Sequence, residues 1–95
     1  MAAYFIVDLE VADRDRFKDY AEAVPSTISA YGGRYLVAGG SVETIEGDWA
    51  PRRIIVIEFE SRERAREWWM SEEYRELKEL RRETSQAKIL LVDGV

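Results

Sequence analysis

The chain has 95 residues and a formal net charge of −5 at pH 7, which argues against nucleic acid or an anionic membrane as partner, since both demand a basic surface. A chain this short forms one domain and hides about 65% of its unfolded surface, a modest core that a disulfide, a metal or a partner subunit commonly supports. It has no cysteine and no histidine, which excludes disulfides, thiolate metal sites, a Ser-His-Asp triad, histidine-ligated zinc and a histidine-bound haem, and leaves a partner subunit as the available support.

Residues 4–11, YFIVDLEV, alternate in character. Phe5, Val7, Leu9 and Val11 fall on one face and Tyr4, Ile6, Asp8 and Glu10 on the other, the pattern of a strand with one fully apolar face. Asp13 then stands where a helix N-cap belongs. Phe17, Tyr20, Ala21, Val24, Ile28 and Tyr31 follow at helical spacing, predicting a helix over 13–31 with a kink or restarted turn at Pro25, where Ser26 and Thr27 fit the restart. Gly32 suits a left-handed helix terminus, and Gly33 frees the chain to turn into a strand at RYLVA. Gly39 and Gly40 read as a bulge or bend before SVETIE resumes that strand. EGDWAPR is expected to supply a hairpin turn, and RRIIVIEF (52–59) is the most apolar strand. Ser61 caps a second helix over 62–83, whose apolar phase slips near Ser71, where Glu72 and Glu73 favour a fresh helical start. AKILLVDGV closes the chain as a fourth strand.

The order β-α-β-β-α-β over residues 1–95, without repeats or linkers, predicts a single α+β domain. Its architecture is a ferredoxin-like sandwich, a four-stranded antiparallel sheet with two helices on one face. The paired glycines are joints of this fold and not a phosphate loop, which would follow a strand and open a helix. Two helices cover only one face of the sheet, so the other should be polar. Instead IIVI at 54–57 and ILLV at 89–92 are apolar on both parities. Four six-residue strands about 4.8 Å apart form a face of about 19 by 20 Å, or about 600–800 Å² with side-chain relief. Monomers rarely expose an apolar patch beyond about 300–600 Å², and a standard interface buries about 800 Å² per partner. A two-fold homodimer with sheets packed face to face is therefore expected, forming a dimeric α+β barrel.

Several side chains are candidates for chemistry on that second face. Tyr4, Asp8, Arg34 and Glu58 are candidate catalytic or orienting groups if they converge in the barrel interior, where a carboxylate with a raised pKa acts as general base. The alternative reading places these charges at strand ends, pairing across a dimer seam or with water. Trp49, Arg52 and Glu10 are candidate ligand contacts, with Trp49 either a lid over a ligand or, the favoured reading, an arm gripping the partner. Trp68 and Trp69 point about 100° apart on a helix and so cannot clamp one ligand together; one belongs to the core and the other covers a sheet edge. Tyr20 and Tyr74 fall on core faces of their helices. Charges between Arg62 and Glu83 form a solvated helix face, and Arg81-Arg82 suits a helix C-terminus. Asp8-x-Glu10 supplies too few ligands for a metal ion, so no metal site is expected. No run approaches the roughly 20 apolar residues of a membrane span, MAAYFIVDLEV is too short and alternating for a signal peptide, and a cytoplasmic location is expected.

The stretches YFIVDLEV, YGGRYLVAGG, IEGDWAPR, EFES, AREWWMSEEY and VDGV, spread over nearly the whole chain, resemble the domain of unknown function 1330 family. That resemblance implies membership of the dimeric α+β barrel superfamily, whose ferredoxin-like protomers pair their sheets. Two positions depart from the family pattern. Ala38 stands where a basic residue is common, which weakens an anion-binding role for that strand. Ser71-Glu72-Glu73-Tyr74 stands where Ser-Pro-Glu-Tyr is common, which should straighten the helix break. The family has no common established activity. The wider superfamily includes cofactor-independent monooxygenases, haem-degrading enzymes, lactone isomerases and small-ligand regulatory domains, and the haem branch usually relies on a histidine that this chain lacks. The expectation is a homodimer that binds or transforms a small, largely apolar metabolite without a tightly bound cofactor. The alternative is a non-catalytic ligand-binding or structural dimer, or an accessory subunit. Pocket size separates them, because ligand sites begin near about 300 Å³ and an interior cavity below about 100 Å³ would remove the enzyme reading.

Overall fold

The computed structural model describes residues 1–95 and opens with β1 (Ala3–Val11), followed by α1 (Arg14–Ala30), β2 (Arg34–Ala38), β3 (Ile54–Phe59), α2 (Arg62–Trp69), α3 (Glu72–Thr84) and β4 (Ser85–Asp93). The strands form one antiparallel sheet in the order β2-β3-β1-β4, the ferredoxin-like arrangement, with the second helix in two pieces. Strand β1 lies inside the sheet, and its alternation sorts the fold. Phe5, Val7 and Leu9 are buried and pair in register with Ile57 and Ile55 of β3 and with Leu91, Ile89 and Ala87 of β4. Against this face pack Phe17, Val24 and Ile28 of α1, Ala65 and Trp68 of α2 and Tyr74 of α3, one continuous apolar cluster. All three helices therefore cover the same side of the sheet.

Helix α1 starts where expected, with the Asp13 carboxylate accepting the Arg16 N–H at 3.2 Å. It then runs through Pro25 as one helix instead of restarting there. Proline removes a single backbone donor, while the buried Phe17 before it and Val24 and Ile28 around it hold one stripe against the sheet. Ser26 and Thr27 donate back to the carbonyls of Ala23 and Val24 at 3.1 and 2.8 Å, inside the helix. At the C-terminus Gly32, at φ +74°, donates to Ser29 and Gly33 to Ile28, the paired bonds of a Schellman cap. Gly33 is also needed for lack of bulk. A Cβ there would lie 2.6 Å from the Phe59 ring and 2.8 Å from Ile28 Cγ2.

Three expectations for the middle of the chain change. The β2–β3 irregularity falls between Tyr35 and Val37, leaving Leu36 as the extra residue, not at the glycines. It puts Val37 opposite Val56 and Ala38 opposite Ile55, so Ala38 does not share the face of Arg34. Gly39, at φ +84°, ends β2 after one last bond to the Ile54 carbonyl, and SVETIE forms no strand. Its two large apolar residues, Val42 and Ile45, have opposite parity and are 41% and 84% exposed, so on a sheet with helices on one face only a strand here would bury one of them at most. Residues 39–53 are an irregular connection in place of a tight hairpin.

The break between α2 and α3 persists without a proline. The Ser71 hydroxyl donates to the Trp68 carbonyl at 2.8 Å and accepts the Tyr74 N–H at 3.2 Å, closing one helix and capping the next. The Ser-Glu-Glu-Tyr sequence does not straighten it. Tyr74 returns over the break to stack on Trp68, with ring centroids 4.1 Å apart.

Replacing Gly33 with alanine is expected to lower stability by about 2 kcal/mol, the usual range for overpacking. Gly40→Ala, with nothing within 4 Å of the added methyl, should stay within about 0.5 kcal/mol. Urea unfolding of the two variants checks both.

Candidate functional site

The sheet face opposite the helices carries every candidate that alternation assigned to it. In register across the centre lie Glu58, Tyr4 and Val92, then Val56, Ile6 and Leu90, then Ile54, Asp8 and Lys88. Arg34 Nε reaches Glu58 Oε1 at 2.7 Å. That hydrogen bond, foremost, and the guanidinium charge hold the exposed Glu58 carboxyl below its ordinary value of 4.5, with the Tyr4 hydroxyl adding to the effect and desolvation opposing it. A raised pKa was expected for a general base here, and Glu58 moves the other way because its nearest neighbour is a cation. Trp49 swings back from the 39–53 connection to donate its indole N–H to Asp8 Oδ2 at 2.9 Å. Arg52 and Glu10 approach loosely, at 3.7 Å, both well exposed.

These groups form pairs and not one constellation. Tyr4 and Asp8 are four residues apart on β1, about 13 Å along a strand, so Arg34–Glu58–Tyr4 sits near one end of the face and Trp49–Asp8 near the other, with Ile6 and Val56 between them. No group of three carboxylates converges to hold a metal ion, and no helix is long and apolar enough to cross a membrane.

The enclosed space lies on the helix side. Phe5, Tyr20, Tyr35, Trp68, Tyr74 and Arg81 are among the residues around a cavity of about 40 Å³. Tyr20 and Tyr74 share a hydrogen bond of 2.9 Å between their hydroxyls. Arg81 is only 6% exposed, and its Nε donates to the Tyr74 hydroxyl at a long 3.4 Å. No carboxylate lies within ion-pair distance of it, although seven other arginines have such partners. Burial, first, and its hydrogen-bonded neighbour Tyr74 raise the pKa of Tyr20, and burial pushes Tyr35 up to about 12. Both phenols therefore stay protonated at neutral pH. They can donate hydrogen bonds and cannot serve as bases.

Sequence reasoning placed Tyr20, Tyr74 and one of the paired tryptophans in the core, as found, and gave Arg81 to a solvated helix terminus. The missed signal was spacing. Arg81 follows Tyr74 by seven residues, two helical turns, and so lies on the apolar stripe of α3.

The family model described as a domain of unknown function, DUF1330, matches residues 2–95, and the chain belongs to that family. No curated protein matches it. Among solved structures, a protein of unknown function from Rhodopseudomonas palustris is similar, with a TM-score of 0.79 at 12% identity over 99% of this chain and 82% of that one. SnoaB, a cofactor-independent oxygenase from Streptomyces nogalater, is similar with a TM-score of 0.65 at 10% identity over 99% of this chain and 93% of that one. At such identities the likeness is one of fold.

Because the folded-state pKa of Glu58 is depressed, its ion pair contributes to stability above the unfolded value, and the contribution is lost as pH falls through the folded one. Arg34→Gln should move the Glu58 titration upward toward 4.5, followed by carboxyl NMR shifts. An unmoved midpoint would show that Arg34 does not set it.

Proposed function

We propose that this chain works as a homodimer joined through its outer sheet face, and that each copy binds a small, largely apolar metabolite bearing one acidic group around Arg81, without a tightly bound cofactor. The observation that carries the ligand reading is the buried guanidinium without a carboxylate. Its polar atoms are not left stranded, since no buried side-chain nitrogen or oxygen lacks a hydrogen-bond partner. Its charge, in a residue only 6% exposed, nevertheless has no opposite charge beside it, and a charge largely withdrawn from water is stabilised by one. A ligand carboxylate, phenolate or enolate would complete the pairing in bidentate form.

The same arrangement suggests what the site does to a bound molecule. Arg81 and the hydroxyls of Tyr20 and Tyr74 stabilise negative charge on a ligand oxygen, favouring ionisation of a weakly acidic substrate. The walls offer no base of their own, so the proton leaves to water or to a second group on the ligand. SnoaB is described as a cofactor-independent oxygenase, and stabilising an anionic substrate without a cofactor is compatible with that kind of activity. The cavity volume of about 40 Å³ favours a second reading, a structural or accessory dimer whose interior is filled. It holds little more than a water or two.

For the dimer, the support is the uncovered face. Leu36, Val37, Leu90 and Val92 are 46%, 42%, 64% and 41% exposed, beside half-buried Ile6, Ile54 and Val56. Trp49, 60% exposed while its N–H is held by Asp8, supports the reading of an arm that grips the second copy.

Ile54→Asp and Val56→Asp are expected to give folded 11.0 kDa monomers in sedimentation velocity, where the unaltered protein sediments at twice that mass. Ile55→Asp, on the helix side, should unfold the protomer. Both outer variants remaining dimeric would overturn the face assignment. Arg81→Met should keep or raise thermal stability, since apolar replacement of a buried charge is often neutral or stabilising, and should weaken binding of 2-naphthoate by about tenfold or more, consistent with a charge-assisted bond. A destabilised variant with undiminished binding would make Arg81 structural.

A further inference from the structure

The cavity at Arg81 is not isolated. A groove of about 340 Å³ between the helix break and β4, lined by Phe5, Arg66, Trp69, Met70, Ile89 and Leu91, shares Phe5, Trp69 and Ile89 with it. The Trp69 indole is the removable part of the shared wall, because Phe5 and Ile89 are fixed in the sheet. Trp69 is the last residue of α2, directly before the break, and is half-buried. Trp68 anchors its indole N–H to Thr27 Oγ1 at 3.0 Å. Trp69 is held instead by rings and cations: Phe5 and Tyr74 at 5.7 and 5.8 Å, Lys78 at 4.5 Å and Arg81 at 5.9 Å. Such contacts are individually weak and can be replaced by a ligand offering the same surfaces.

We propose that Trp69 is the gate of the ligand site. A planar aromatic anion enters through the groove and displaces the indole. It lays its ring between Phe5 and Tyr74 and pairs its acidic group with Arg81. The class of ligand follows from what it replaces. The slot fits an aromatic ring because it holds one now. It fits an anion because Arg81 lines the cavity and Arg66 the groove, with Lys78 lying over the Trp69 ring, and none of the three has a carboxylate partner, in a chain of net charge −5. Burial, followed by the neighbouring charges of Arg82 and Arg81, already lowers the pKa of Lys78, as expected of crowded cations short of counter-charge. The groove alone, at about 340 Å³, already has the ~300 Å³ at which small-molecule sites begin, and with the indole swung away it becomes continuous with the cavity and reaches Arg81.

This inference rests on the Arg81 reading above, and the experiment separates the two. 2-Naphthoate and its neutral counterpart 2-naphthamide are titrated calorimetrically against the unaltered protein, Trp69→Ala, Trp69→Leu and the double variant Trp69→Ala/Arg81→Met. If the open state is populated to about a tenth, removing the gate tightens naphthoate binding about tenfold. Trp69→Leu, which keeps more of the apolar wall, should show a smaller gain and stands in if the alanine variant fails to fold. The gain should vanish in the double variant and be absent for the amide. Naphthoate binding that depends on Arg81 but is unchanged or weakened in both Trp69 variants would overturn the gate and leave the site reading standing. No binding to any variant, or binding indifferent to Arg81, would overturn both.

Discussion

A pleated strand sends neighbouring residues to opposite sides, and of the inner strands β3 is apolar on both over Ile54–Ile57, while β1 adds Tyr4 and Ile6 to the outer side. Everything else in the molecule answers that constraint. Three helical segments spend their buried surface on one side, where Phe5, Val7, Leu9, Ile57 and Phe59 meet Phe17, Val24, Ile28, Trp68 and Tyr74. The chain has no further element with which to cover the other. The irregular connection over 39–53 leans only one side chain, Trp49, back across that face. A domain of this size gains little margin from its own core, so a second copy over the bare side would add burial where the single chain has least.

The two sides of the sheet divide the polar chemistry as well. On the outer side, charge is exposed and paired, as in Arg34 with Glu58, so its groups are fixed by partners already present. On the helix side, charge is buried and lacks a carboxylate, as in Arg81, and Tyr20 and Tyr35 nearby are kept protonated by burial. Only the second arrangement holds a buried charge with no opposite charge beside it. An acidic chain that keeps cations free of carboxylates around one aromatic slot has, in effect, excluded its own acids from that place. This is why the site is read from Arg81 and not from the carboxylates of the open face.

The fold was legible in the sequence because its signals agree with one another. Alternation in β1, the Asp13, Ser61 and Ser71 caps and the terminal Gly32-Gly33 pair each point to the element found. The errors arose where a local signal competed with tertiary packing. Pro25 left a kink or a restarted turn open, and the helix continues through it without restarting, because one missing donor does not outweigh a stripe that is buried on both sides of it. SVETIE looked like a strand by composition, although Val42 and Ile45 have opposite parity and a sheet covered by helices on one face would bury one of them at most. The candidate site was less legible. Tyr4, Asp8, Arg34 and Glu58 were placed on the correct face by parity, but parity does not report distance along a strand, so it left open whether they form a cluster or separate pairs. Arg81 was concealed by Arg82 beside it. The two look like one basic terminus until helical phase separates the inward one from the outward one.

The three tryptophans are distributed one to each part of this architecture: Trp49 on the bare sheet face, Trp68 in the sealed interior, Trp69 at the partition between groove and cavity. Indole emission shifts with the polarity around the ring, so the chain carries an optical label at each of these places. Variants retaining a single tryptophan would allow association, global unfolding and solvent entry at the groove to be watched as distinct signals in one native fold.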